Sequence, residues 1–113
     1  MGINYHNKIF RSITNSDNGQ VTGDTEFHYQ QSGDIVTAEY SGGQIVRGSL
    51  IAKILPDYSL DMRYQHIDVD GYLQTGICQS KPEILENGKI RLHETWQWTS
   101  GDRSSGESVI QEV

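Results

Sequence analysis

Two side chains in this sequence could move a proton inside a folded core: Glu94 and His66. Glu94 falls within KIRLHETWQWTSGD (89–102), the longest strictly alternating run in the chain. Ile90, Leu92, Glu94, Trp96 and Trp98 share one face of that run, and Arg91, His93, Thr95, Gln97 and Thr99 the other. Period two marks a strand with one buried face. The apolar members assign the first face to the interior, so a carboxylate is carried inward with two indoles. Such a carboxylate must find a partner or take up a proton. Arg47, Arg63 and the tyrosine hydroxyls are the candidate partners. If His66 reaches Glu94, the two form a general acid–base pair. A structural hydrogen-bond network is the commoner use of buried polar groups.

The neighbouring alternations add walls to this site. Leu60, Met62, Tyr64 and His66 share a face, as do Phe27 and Tyr29, and Val36, Ala38 and Tyr40. Ala38 and Gly48 leave room beside large rings. Seven residues are therefore expected to line a ligand site: Tyr29, Tyr40, Tyr64, His66, Glu94, Trp96 and Trp98. Aromatic walls with a few polar groups are what a small-molecule pocket offers. The same residues would equally serve as a filled core.

Other chemistry has little support. His6, His28, His66 and His93 form no His-x-His pair and no HExxH, so a metal would need distant strands to converge. Cys78 has no CxxC partner and reads as a small buried apolar residue. No GxSxG, GxxxxGK[ST] or GxGxxG occurs. No catalytic residue, metal or cofactor is assigned.

These residues need strands to hold them, and the turns supply the frame. Turn signals stand at Asn18-Gly19, 32–34, 41–43, Pro56-Asp57, Asp70-Gly71, Asn87-Gly88 and 100–102. They separate strands expected near 7–15, 22–31, 35–41, 44–54, 59–68, 72–81, 89–99 and 106–113. An open meander of this length would leave two raw edges, and closure removes them. The expected fold is all-β: one eight-stranded antiparallel up-and-down barrel of the calycin, lipocalin and avidin kind, a single domain over 1–113, with its first and last strands paired. A two-sheet sandwich is the alternative. Two-residue turns at Asp70-Gly71 and Asn87-Gly88 would place Tyr64, Ile77 and Trp98 in one interior layer, and Met62, Gln79 and Trp96 in the next. A bulge at Pro82 would instead turn Gly76, Cys78 and Ser80 inward.

Composition narrows the partners. The 113 residues carry a formal net charge of -6, and the nine Lys and Arg are scattered. That argues against nucleic acid and against anionic membrane surfaces. No apolar run approaches a membrane span, and MGINYHNKIF lacks the apolar region of a signal peptide. With one cysteine, no disulfide can form within the chain, and the expected compartment is the cytoplasm. The partner expected is a small organic ligand, and oligomeric state is left open.

The words FHYQ (27–30), AEYSGG (38–43), RYQH (63–66), TGIC (75–78), PEIL (82–85) and RLHETWQWTSGD (91–102) together carry a resemblance. The chain resembles, over nearly its whole length, a family of small bacterial proteins of about this size whose members often bear the label N-acetylglutamate synthase. The resemblance assigns no catalytic residue to any position here. The label implies acetyl transfer from acetyl-CoA, whose pyrophosphate such enzymes hold with a [QR]-x-x-G-x-[GA] turn opening a helix. The nearest match, Arg103 to Ser108, ends in Ser and is followed by only five residues. Acetyltransferase chemistry is therefore not expected. A ligand-binding barrel leads, a filled interaction barrel follows, and an enzyme using Glu94 with His66 is third.

Overall fold

A computed structural model describes residues 2–113 as eight strands closed into one barrel. They are β1 (Lys8–Asn15), β2 (Glu26–Ser32), β3 (Ile35–Gly42), β4 (Ile45–Ile54), β5 (Leu60–Asp68), β6 (Leu73–Ile84), β7 (Ile90–Trp98) and β8 (Ser105–Glu112). Each pairs antiparallel with the next, and β8 closes on β1. The expected fold and closure are therefore observed. β2 begins at Glu26 and not near 22, because residues 16–25 form a long connection rather than a tight turn.

Two hairpins differ from expectation by one residue each. Ile67 pairs with Leu73, and Ile84 with Ile90. At the first turn Gly71 N–H donates to Asp68 O, and at the second Gly88 N–H donates to Leu85 O, both at 2.9 Å. These are three-residue loops: a type I turn followed by a glycine at positive φ, 86° for Gly71 and 84° for Gly88. Each extra loop residue slips the pairing by one, and a one-residue slip reverses every side chain. The two slips cancel between β5 and β7, so Tyr64 still shares a layer with Trp98. They do not cancel for the strand between them. Gly76, Cys78 and Ser80 face inward, and Ile77 and Gln79 face out.

Pro82 is not the cause, since it pairs with Leu92 in unbroken register. Leu85 N–H donates towards β7, so odd positions of this segment carry the ladder to β7. Pro82, at an even position, presents its missing donor to the β5 side. There β5 has already ended, at the Leu60–Ser80 pair.

The two ends of the barrel are stoppered differently. At the end where β2 meets β3, the N-terminal segment turns in. Tyr5 is fully buried against Tyr29, its hydroxyl donates to Tyr58 O at 2.7 Å, and its N–H donates to Gln31 Oε1. Phe10, Leu60, Leu92 and Ile110 fill the space beside it. The other end, the mouth, is crossed by the 16–25 connection.

Candidate functional site

The inner wall near the mouth is built from large residues opposite very small ones. Tyr40 pairs with Gly48, Tyr64 with Gly76, and Trp96 with Gly106. A Cβ at any of these glycines would collide with the partner ring, so each ring lies flat over its neighbour strand. Leaning on the wall instead of crossing the lumen, the rings leave a cavity of about 50 Å³. Tyr29, Tyr40, Tyr64, His66, Glu94, Trp96 and Trp98 all border it. The rings contact one another around the wall: Trp96 to Trp98 at 5.6 Å, Trp98 to His66 at 5.7 Å, and His66 to Tyr40 at 5.6 Å between centroids.

The roof of the cavity comes from the β1–β2 connection, which supplies Gly19, Gln20 and Val21, with Asn15 at the end of β1. Polar bonds pin this roof. Trp98 Nε1–H donates to Asn18 O at 3.0 Å, and Trp96 Nε1–H to Asn15 Oδ1 at 3.2 Å. Gln20 Nε2 donates to Asp68 Oδ2 at 3.0 Å, and Gln20 Oε1 lies 2.7 Å from His66 Nε2. A carboxylate only accepts, so the amide N of Gln20 must face Asp68 and its oxygen must face His66. His66 therefore carries its proton on Nε2. Its Nδ1 accepts from the Tyr40 hydroxyl at 2.9 Å. The result is one directed chain, Tyr40 to His66 to Gln20 to Asp68.

The ionisation of this chain follows from its surroundings. Burial holds the His66 pKa down, from 6.5 to about 4, against the opposing pull of Asp68. Asp68 is held down to about 2, first by its bond from Gln20 and then by those from Tyr72 N–H, Gln74 and Asp70 N–H. A neutral histidine beside an ionised aspartate is thus the state of the mouth at neutral pH.

Glu94 sits deeper. Its residue is half-buried, yet its carboxyl group is enclosed by the barrel. Ser80 Oγ donates to Oε2 at 2.7 Å and Ser108 Oγ to Oε1 at 3.1 Å. Burial raises its pKa, and the two serines and Cys78 offset part of that rise. The partners expected from the sequence are not the ones found. Arg63 lies outside, bonded to Asp61, and Arg47 is exposed, because both occupy outward positions of their strands. Nor does His66 reach Glu94. The ladder neighbour of Glu94 is Ser80, whose own neighbour is Leu60, six residues from His66 along β5. Both border one cavity, but both nitrogens of His66 are engaged elsewhere, so no acid–base pair is formed.

One polar atom is left over. Among the described residues, the Tyr29 hydroxyl is the single buried side-chain N or O without a hydrogen-bond partner. Tyr29 is fully buried and borders the cavity. Among the described residues no three His, Cys, Asp or Glu side chains group as a metal site requires. Arg103 to Ser108 forms the β7–β8 turn and the start of β8, with Gly106 beneath the Trp96 ring.

Sequence reasoning missed the roof. Asn18-Gly19 signals a turn but not the long connection around it, and Gln20 carries no pattern of its own. Ser80 and Ser108 were missed as carboxylate partners because facing, not residue type, selects them.

A family model described as avidin-like protein matches residues 3–113. No curated protein matches the chain, and no solved structure does.

Proposed function

The chain belongs to the avidin-like family, and from that footing we propose that it binds a small organic ligand in the aromatic cavity beneath the β1–β2 connection. The observation that carries this reading is the Tyr29 hydroxyl. A buried hydroxyl without a partner costs about 1–3 kcal/mol, and this one borders an aromatic cavity that also holds a carboxylate. A ligand group bonded to it would remove that cost. The cavity, of about 50 Å³, has room for a few water-sized groups. Anything larger needs the connection to move aside; it is held to the barrel by side-chain bonds of Ser16, Asn18, Gln20 and Thr25 and by one backbone bond, Ser16 N–H to Glu107 O, rather than by a ladder.

The small volume also favours a second reading, a filled barrel that works through its outer surface. Val69, Tyr72 and Leu73 are at least 60% exposed around the β5–β6 hairpin and would suit a protein contact.

A thermal-melt screen against a broad collection of small organic metabolites separates the two. Ligand binding to the folded state raises the melting temperature by mass action. A hit that also changes the emission of Trp96 and Trp98, the chain's two tryptophans, supports the cavity. No hit with the wild type, and none with Gln20→Ala, which removes the roof's bonds to His66 and Asp68, leaves the filled barrel as the correct reading.

A further inference from the structure

Resting on the proposed cavity, we infer that its ligand is a small organic cation, an ammonium or amidinium group, and not a carboxylate.

The donors are nearly all used. Both indole N–H groups point to the roof, where Asn15 and Asn18 accept them. His66 gives its one proton to Gln20, and the Tyr40 hydroxyl donates to His66. No lysine or arginine borders the cavity. A carboxylate brought inside would find no positive charge, only the hydroxyls of Tyr29 and Tyr64. It would also lie in one enclosure with Glu94, which like charge disfavours. Desolvating an anion there has nothing to offset it.

For a cation the same wall is complementary. The faces of Tyr and Trp rings attract positive charge through their quadrupoles, and more strongly where water is excluded. Glu94 supplies the countercharge, and its oxygens accept from two serine hydroxyls with the Cys78 thiol as a weak further donor, short of their accepting capacity. The Tyr29 oxygen is a further free acceptor. The groups facing Glu94 from the packed strands are Cys78 and Ser80 of β6, Ser108 of β8, and the tyrosines Tyr29, Tyr40 and Tyr64, none of them cationic. A bound cation would favour ionised Glu94, so affinity should fall as pH is lowered through the raised titration of that carboxyl. A neutral ligand would show no such fall.

The test uses butylammonium, 1-butanol and butyrate, which share an alkyl tail and differ in charge. Tryptophan emission is the readout. The expected result is that butylammonium binds about tenfold or more tighter than 1-butanol, that butyrate gives no saturable change, and that Glu94→Gln abolishes the preference. Tyr29→Phe, which removes only the unpartnered hydroxyl and should fold at least as well, is expected to weaken butylammonium binding several-fold. If 1-butanol binds as tightly as butylammonium, or butyrate binds best, the cation inference is overturned while the cavity stands. If none of the three binds the wild type or Gln20→Ala, and the metabolite screen is also blank, the cavity reading falls and the inference with it.

Discussion

His66 Nε2 and Gln20 Oε1 stand 2.7 Å apart, and through that bond the β1–β2 connection is fastened to the barrel wall. The same amide reaches Asp68 with its nitrogen, so one side chain bridges β5 twice. Besides Gln20, Ser16 and Asn18 bond the connection to β8 and its approach, and Thr25 bonds it to β3, so the roof is fastened chiefly by side chains where the wall beneath it is a continuous ladder. The fold therefore joins a ladder-built cup to a cover fastened chiefly by side chains.

Gln20→Ala should release that cover. Amide hydrogen exchange across residues 16–25 is expected to speed up, while the β4–β7 ladders keep their protection. Stability should drop by about 1–3 kcal/mol, since His66 and Asp68 each lose a partner. Unchanged exchange in 16–25 would show that the amide is not the latch.

Gly76→Ala tests how the rings are stored. The added Cβ meets the Tyr64 ring directly, and overpacking of this kind costs about 1–3 kcal/mol. Made in a Tyr64→Ala background, the same change should be much cheaper. A denaturant double-mutant cycle should therefore show coupling of about 0.5–3 kcal/mol. Additive losses would mean that ring and glycine do not share the space.

The pH dependence has a fixed sign. The His66 pKa falls from 6.5 to about 4 on folding, so the unfolded chain takes up its proton first. The stability due to neutral His66 is complete above 6.5 and is lost as pH falls from 6.5 towards about 4. Urea melts should show wild type losing about 2 kcal/mol more than His66→Gln does between about pH 7.5 and about pH 5. Parallel losses would mean that His66 is not held neutral. Glu94 acts in the opposite sense: its raised pKa makes the ionised form a cost at neutral pH, and that cost disappears on acidification.

Glu94→Gln should leave stability at neutral pH within about 1 kcal/mol of wild type. The amide keeps one oxygen to accept from a serine and offers its N–H to the other serine oxygen, while a buried charge is removed. A loss well beyond that range in thermal and urea melts would mark the carboxylate as a structural keystone.

Much of the fold and part of the site could be read from the residues. Alternation from Ile90 to Trp98 assigned both indoles and Glu94 to the interior, because a strand has only two faces to choose between. Register was harder. Asp70-Gly71 and Asn87-Gly88 signal tight turns, but the dipeptides do not say whether two residues or three close the loop, and that single residue decides which side of β6 is buried. The partners of Glu94 depended on the same choice, so Ser80 was hidden behind it. The roof was harder still. Gln20 lies in a segment without periodicity, and its role arises only when the closed barrel brings His66 and Asp68 to the mouth beneath it.

The most direct test of the cavity is the ¹⁵N-resolved proton spectrum of the two indole groups. Trp96 and Trp98 both border the cavity and both donate to the roof, so their Nε1–H resonances report its occupancy and its cover together. On titration with butylammonium, or with any compound that raises the melting temperature, both indole resonances should move saturably, with the largest backbone changes in residues 16–25. Shifts confined to outward-facing residues, with both indole signals unmoved, would contradict a ligand in the barrel.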